Sequence, residues 1–139
     1  MKTFSIDRSI FLPRPIDEVF PFFADARNLE RLTPAFLKFH VITPAPIAMH
    51  PGARIRYKLS LHGLPISWES EITAWDPPHR FIDEQIRGPY RLWRHEHRFV
   101  AKNNGTQVSD HVDYAVLFVA PDVRRIFDYR TQVLQSLFR

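Results

Sequence analysis

Between residues 50 and 105 the chain is cut by five short turn-forming stretches, "HPG", "HGLP", "DPPH", "GPY" and "NNG", and each interval between them is rich in β-branched and aromatic residues. Parallel strands need long crossover connections, usually helical, so runs joined this tightly must be antiparallel neighbours. The stretches "LKFHVI", "ARIRYKLSL", "ISWESEITAW", "RFIDEQIR", "RLWRHEHRFVA" and "TQVSDHVDYAVLF" therefore read as consecutive strands of a meander. One more strand precedes them, because Phe4, Ile6 and Ile10 alternate with Thr3, Ser5, Asp7 and Ser9.

Helices flank this meander. Pro15 suits the first turn of a short helix bearing Val19, Phe20 and Phe23, which Pro21 must shorten or kink because it has no N–H to give the Asp17 carbonyl. A second short helix is expected over Asp25 to Leu32, ending before Pro34. From Pro121 to Phe138, Val123, Ile126, Phe127, Leu134, Leu137 and Phe138 fall on one stripe at helical spacing. That segment is an amphipathic helix with one face to bury.

Turn lengths fix which side chains share a sheet face. A four-residue "HGLP" loop sets Leu59 opposite Trp68, Tyr57 opposite Ser70 and Ile55 opposite Ile72, with Lys58–Glu69 and Arg56–Glu71 on the other side. A three-residue loop of Gly88, Pro89 and Tyr90 sets Asp83 opposite His95, Phe81 opposite His97, Gln85 opposite Trp93 and Glu84 opposite Arg94. For the last hairpin two registers stand open. An Asn104-Gly105 turn puts His97 opposite Val112, whereas a four-residue loop puts it opposite Asp110 and pairs Arg94 with Asp113. In both, Asp110 lies near His97.

The faces so derived gather Tyr57, Trp68, Ser70, Asp83, Gln85, Trp93, His95, His97, Phe99, Asp110 and Tyr114 on the interior layer. Buried polar groups must satisfy one another, water or a ligand, and a plain apolar core needs none of these. The set is therefore expected to line a binding cavity, with Asp83 and Asp110 orienting the two imidazoles. Catalysis is the sharper alternative: His95 or His97, oriented by Asp83 or Asp110, as general acid/base, with Tyr57, Tyr114 or Arg91 steadying an oxyanion. An aspartate paired with histidinium would raise the imidazole's pKa. Histidines two apart on a strand with nearby carboxylates also evoke a metal site, but aromatic residues crowd the same rows, and no metal or other cofactor is expected.

Other classes are excluded or disfavoured. With no cysteine there is no disulfide, thiol catalysis or iron–sulfur cluster. GxSxG, a phosphate-cradling glycine loop and a dinucleotide fingerprint are all missing. The net charge of +4 comes from scattered basic residues, so nucleic acid is not the expected partner. No stretch approaches the length of a membrane span and the N-terminus lacks a signal-type apolar run, which makes the cytoplasm the expected location. Phe127, Tyr129, Leu134 and Phe138 on the last helix would also suit an interaction module, covered by a second copy in a homodimer.

A strand, two short helices, a six-strand run and a terminal amphipathic helix, covering the whole chain, resemble the helix-grip fold of the START-like, Bet v 1-like (SRPBCC) superfamily. "LPRPIDEVFPFFADARNLERLTP" is similar to that family's strand-to-helix opening. "DEQIRGPYRLWRHEHRFVAKNNGTQVSDHVDY" resembles a subgroup of small bacterial polyketide cyclase/dehydrase-like proteins. The resemblance implies a single α+β domain over residues 1–139, a curved antiparallel sheet of about seven strands around the C-terminal helix, and a hydrophobic or amphipathic small molecule (lipid, polyketide or other ring-containing ligand) held between them. It implies no catalytic residues, because that family has no universal set.

Overall fold

The computed structural model describes residues 2–116 and 121–139. In chain order the elements are β1 (Phe4–Leu12), α1 (Ile16–Ala24), α2 (Leu29–Leu32), β2 (His40–Val41), β3 (Arg54–Leu61), β4 (Leu64–Asp76), β5 (Arg80–Arg87), β6 (Tyr90–Lys102), β7 (Gly105–Val116) and α3 (Val123–Leu137). The strands make one antiparallel sheet in the order β1-β7-β6-β5-β4-β3-β2. This is the α+β helix-grip arrangement. The expected continuation of β7 over residues 117 and 118 lies outside the described residues.

Local chemistry accounts for the helices. Pro15 caps α1, whose Val19, Phe20 and Phe23 are buried while Pro21 is exposed, so the proline costs one backbone bond on the solvent side of a nine-residue helix. The expected second helix divides into a 3₁₀ turn at Ala26–Asn28 and a single α-turn, α2. α3 starts where Asp122 accepts hydrogen bonds from the backbone N–H groups of Arg124 and Arg125 at 3.1 and 3.4 Å, and it buries Val123, Phe127, Arg130 and Leu134. Leu137, placed on the buried stripe by its spacing, is 40% exposed as the last residue of the helix. Phe127 and Leu134 are buried within the chain itself, whereas Tyr129 and Phe138 are half-buried. Among the described residues no helix is long and apolar enough to cross a membrane.

Two hairpin registers depart from simple turn counting. β3 and β4 are joined by His62-Gly63 alone, both at positive φ (51° and 77°), which places Tyr57 opposite Trp68, Ile55 opposite Ser70 and Arg56 opposite Glu69. The expected register is thus off by two residues. A two-residue primed turn matches strand twist better than a four-residue loop, and Pro65 is tolerated inside β4 because β5 reaches only as far as Glu69. A slip of two keeps every side chain on its face, so the interior set survives. The last hairpin turns on Asn103-Asn104 (φ 50° and 62°) and sets His97 opposite Asp110 and Arg94 opposite Asp113. Gly105 is needed for space rather than for the turn, since a Cβ there would overlap the Phe11 ring and lie 2.6 Å from the Leu12 carbonyl oxygen.

The β5–β6 ladder runs as expected from Phe81–His97 to Glu84–Arg94. Beyond it Gln85 closes the hairpin with its side chain, Nε2 donating to the Tyr90 carbonyl at 2.7 Å and Oε1 accepting from the Tyr90 N–H at 3.1 Å. "LKFHVI" yields only the two-residue β2, its first residue, Leu37, closing a 3₁₀ turn at Ala35–Leu37. A bulge at Thr73 brings Trp75 opposite Phe81 and into the core. There Phe20, Phe23, Phe81 and Phe99 pack with ring centroids 5.0–6.2 Å apart, filling one end of the space under the sheet. Tyr90, Trp93, Val123 and Phe127 form a second cluster, and Trp68 packs against both.

Candidate functional site

Side chains that alternate along β5, β6 and β7 bring two aspartates and two histidines together beneath α3. His95 and His97 stack face to face at 3.6 Å, and Phe81 stacks on the far side of His97 at 4.0 Å. Although Asp83 lies directly opposite His95 in the ladder and Asp110 opposite His97, the short hydrogen bonds run diagonally. His97 Nε2 donates to Asp83 Oδ2 at 2.6 Å and His95 Nε2 donates to Asp110 Oδ1 at 2.7 Å. The direct pairs are longer, at 3.8 Å and 3.6 Å. Each carboxylate thus spans one end of the imidazole stack, and Asp83 also accepts the Trp93 indole N–H at 3.3 Å.

A fifth member comes from the helix. Arg130, 6% exposed, places Nη2 3.6 Å from the same Asp110 oxygen that His95 binds, and its guanidinium lies 5.0 Å from the centre of the Phe127 ring. Its spacing from Phe127 and Leu134 puts it squarely on the apolar stripe. A single charge in an otherwise apolar helical row is the signal by which sequence reading could have found it.

Burial and charge set the protonation states. Burial pushes the Asp110 carboxyl up, but Arg130 and the imidazoles overcome it and hold the group well below the usual carboxylate range. Asp83 behaves likewise, its burial outweighed by the hydrogen bond from His97 and the charge of His95. His97 departs from the expectation that an aspartate partner raises an imidazole. Loss of solvent, and then the stacked His95, pull it down to about 4 against the pull of Asp83 and Asp110. His97 is therefore neutral near pH 7. Its proton is on Nε2, facing Asp83, and Nδ1 carries the lone pair. Burial likewise pushes the Tyr57 phenol far up, so it stays a neutral hydroxyl.

Above the quartet lies a cavity of about 80 Å³, between the sheet, α2, the 35–39 turn and α3. Seven of the sequence-derived residues are on its wall: Tyr57, Trp68, Ser70, Asp83, Trp93, His95 and His97. Leu37, Phe39, Leu59, Phe127 and Arg130 complete much of it. The remaining four sit elsewhere. Phe99 belongs to the phenylalanine core, Gln85 closes its hairpin, Asp110 stands behind His95, and Tyr114 stacks on Phe4 at 5.6 Å near the sheet edge. Arg91 is exposed. A smaller chamber of about 30 Å³ adjoins the first, and Leu29, Tyr57, Asp83, His97 and Arg130 line both. The larger space is roughly half the ~150 Å³ that accepts benzene in an engineered protein cavity.

The site leaves a few groups unsatisfied. Trp68 Nε1, His97 Nδ1, and Arg130 Nε and Nη2 are buried with no hydrogen-bond partner among the described residues. Such orphans cost about 1–3 kcal/mol each, more for a charged group. A donor atom from each of Asp83, His95 and His97 lies within 4.8 Å of the others, the spacing of a metal set. Asp83 Oδ2 and His97 Nε2, only 2.6 Å apart, would however subtend about 76° at an ion held ~2.1 Å from each, far from tetrahedral. The geometry is that of a hydrogen-bonded charge network.

Residues 12–137 match the family model described as polyketide cyclase/dehydrase and lipid transport. A search of the curated proteins finds no match. Among solved structures, a Chromobacterium violaceum protein superposes with a TM-score of 0.78 at 15% identity, covering 96% of each chain. The ZhuI aromatase/cyclase of a Streptomyces species gives 0.74 at 15% identity over 98% of this chain and 93% of its own. The major latex-like protein 151 of Panax ginseng gives 0.71 at 14% identity over 99% and 98%. At such identities the likeness is one of fold.

Proposed function

The chain belongs to the polyketide cyclase/dehydrase and lipid transport family, whose fold is a hydrophobic ligand-binding one, and from that premise we propose that it binds a compact hydrophobic or amphipathic ring compound between the sheet and α3. One observation carries the reading: apolar rings and a few polar groups converge on a cavity lined by Asp83, His95 and His97, the imidazoles being held by Asp83 and Asp110. At about 80 Å³ the cavity is smaller than one that accepts benzene, so even a single ring requires α3 and the 35–39 turn to move apart, and an extended acyl chain requires more.

A second reading has its own support. His97 lines the cavity, its Nδ1 has no hydrogen-bond partner among the described residues, and its other nitrogen is held by a carboxylate, which is how a general base is oriented. A cyclase/dehydrase-like enzyme would use it to take a proton from a carbon next to a carbonyl, with Asp83 fixing the ring. Replacing His97 separates the two. In a binding protein His97→Ala lowers affinity by a modest factor. In an enzyme it removes turnover while binding survives. Mass spectrometry of the native protein from its own source is the direct test of the first reading: a retained organic molecule is expected, and a metal adduct instead would overturn it.

A further inference from the structure

We propose that the cavity selects a neutral ring compound that offers a carbonyl oxygen to Arg130 and the Trp68 indole N–H and a hydroxyl to His97 Nδ1. The inference rests on the ligand-binding reading above and names the chemistry of the ligand. Its ground is a coincidence of place: the four buried side-chain nitrogens without a partner among the described residues belong to Trp68, His97 and Arg130, and all three residues line the same cavity. They come from β4, β6 and α3, so no single packing defect explains them.

Their polarity specifies the guest. Arg130 Nε–H, Arg130 Nη2–H and Trp68 Nε1–H are donors and call for acceptor oxygen. His97 gives its Nε2 proton to Asp83, which leaves Nδ1 as an acceptor that calls for a hydroxyl. Charge then separates a ketone, ester or lactone from a carboxylate. Asp110 already opposes the guanidinium from 3.6 Å, and Asp83 stands on the same wall. A ligand carboxylate would be a third negative charge in a site with one fixed positive charge and little solvent, whereas a neutral carbonyl takes the same donors without that repulsion. Trp68, Trp93, Phe39 and Phe127 supply the apolar walls for the ring.

The test is calorimetric titration of the full chain with three probes of one ring size: 3′-hydroxyacetophenone, 3-hydroxybenzoate and ethylbenzene. The hydroxyketone is expected to bind at least about tenfold more tightly than either of the others, the yield of one or two well-placed hydrogen bonds. Trp68→Phe keeps an aromatic wall and removes the N–H. It should weaken the hydroxyketone by roughly three- to tenfold and leave ethylbenzene unchanged. 3-Hydroxybenzoate binding as well as the ketone, or equal losses for both neutral probes in Trp68→Phe, overturns the inference. Ethylbenzene binding as tightly as the ketone does the same while leaving an apolar ligand site intact. If the folded chain, verified by circular dichroism, binds none of the three, the ligand-binding reading falls and the inference with it.

Discussion

Two aspartate–histidine clusters lie on opposite faces of the same sheet, one residue apart in sequence, and they behave oppositely. On the inner face Asp110 serves His95 and the neighbouring His97 is depressed to about 4. On the outer face His111 lies between Asp7 at 2.6 Å and Asp113 at 3.0 Å, and it is raised, first by the hydrogen bond to Asp7. Partner distances are similar in the two places. The difference is solvent: the outer imidazole pays little desolvation when charged, whereas the inner one is 3% exposed and stacked on another imidazole. Counting acidic neighbours does not give the sign of a histidine's shift; burial decides it.

The largest expected contrast is in stability. Asp110→Ala leaves Arg130 and His95 buried without their carboxylate and should cost about 3–5 kcal/mol in urea denaturation, whereas Asp113→Ala on the outer face should cost under ~1 kcal/mol. Equal losses would break the comparison.

The pH dependence comes next. Between about pH 6.5 and 4 the unfolded chain takes a proton on residue 97 that the folded chain refuses, so stability should fall on acidification by on the order of 3 kcal/mol. Depressed Asp83 and Asp110 extend that loss to lower pH, because their stabilisation is present above the unfolded carboxylate value and disappears as pH falls through their folded values. His111 has the reverse sign. Its contribution is full below 6.5 and fades as pH rises through its elevated folded value, and exposure keeps it small. NMR titration showing His97 at or above 6.5 would erase the distinction.

The smallest effect is that of salt. At 1 M the screening length is about 3 Å, so the His111 midpoint should slide back toward 6.5 while that of His97 stays in place.

Much of this site was legible beforehand, for specific reasons. The alternation in "RLWRHEHRF" assigns His95 and His97 to one face whatever the register, and the Glu84–Arg94 match fixes the β5–β6 ladder. The β3–β4 register was not legible, because it hangs on His62 accepting a positive φ, and Pro65 disguises the start of β4. Nor were the diagonal bonds, since strand pairing sets which Cα atoms face each other and rotamers choose the partner. Arg130 was hidden in plain view among apolar residues. The size of the cavity depends on how far α3 stands off the sheet, which no periodicity encodes.

α3 is fixed along its axis as well as against the sheet. Val123, Phe127 and Leu134 present a greasy face that by itself would tolerate sliding along the sheet, because apolar contact is non-directional. Two polar contacts act as keys in a keyway: Arg130 against Asp110 on β7, and Arg8 of β1 gripping Asp128 at 2.6 Å. A one-turn slip of about 5.4 Å would unseat both. The helix is thereby indexed at one position along its axis.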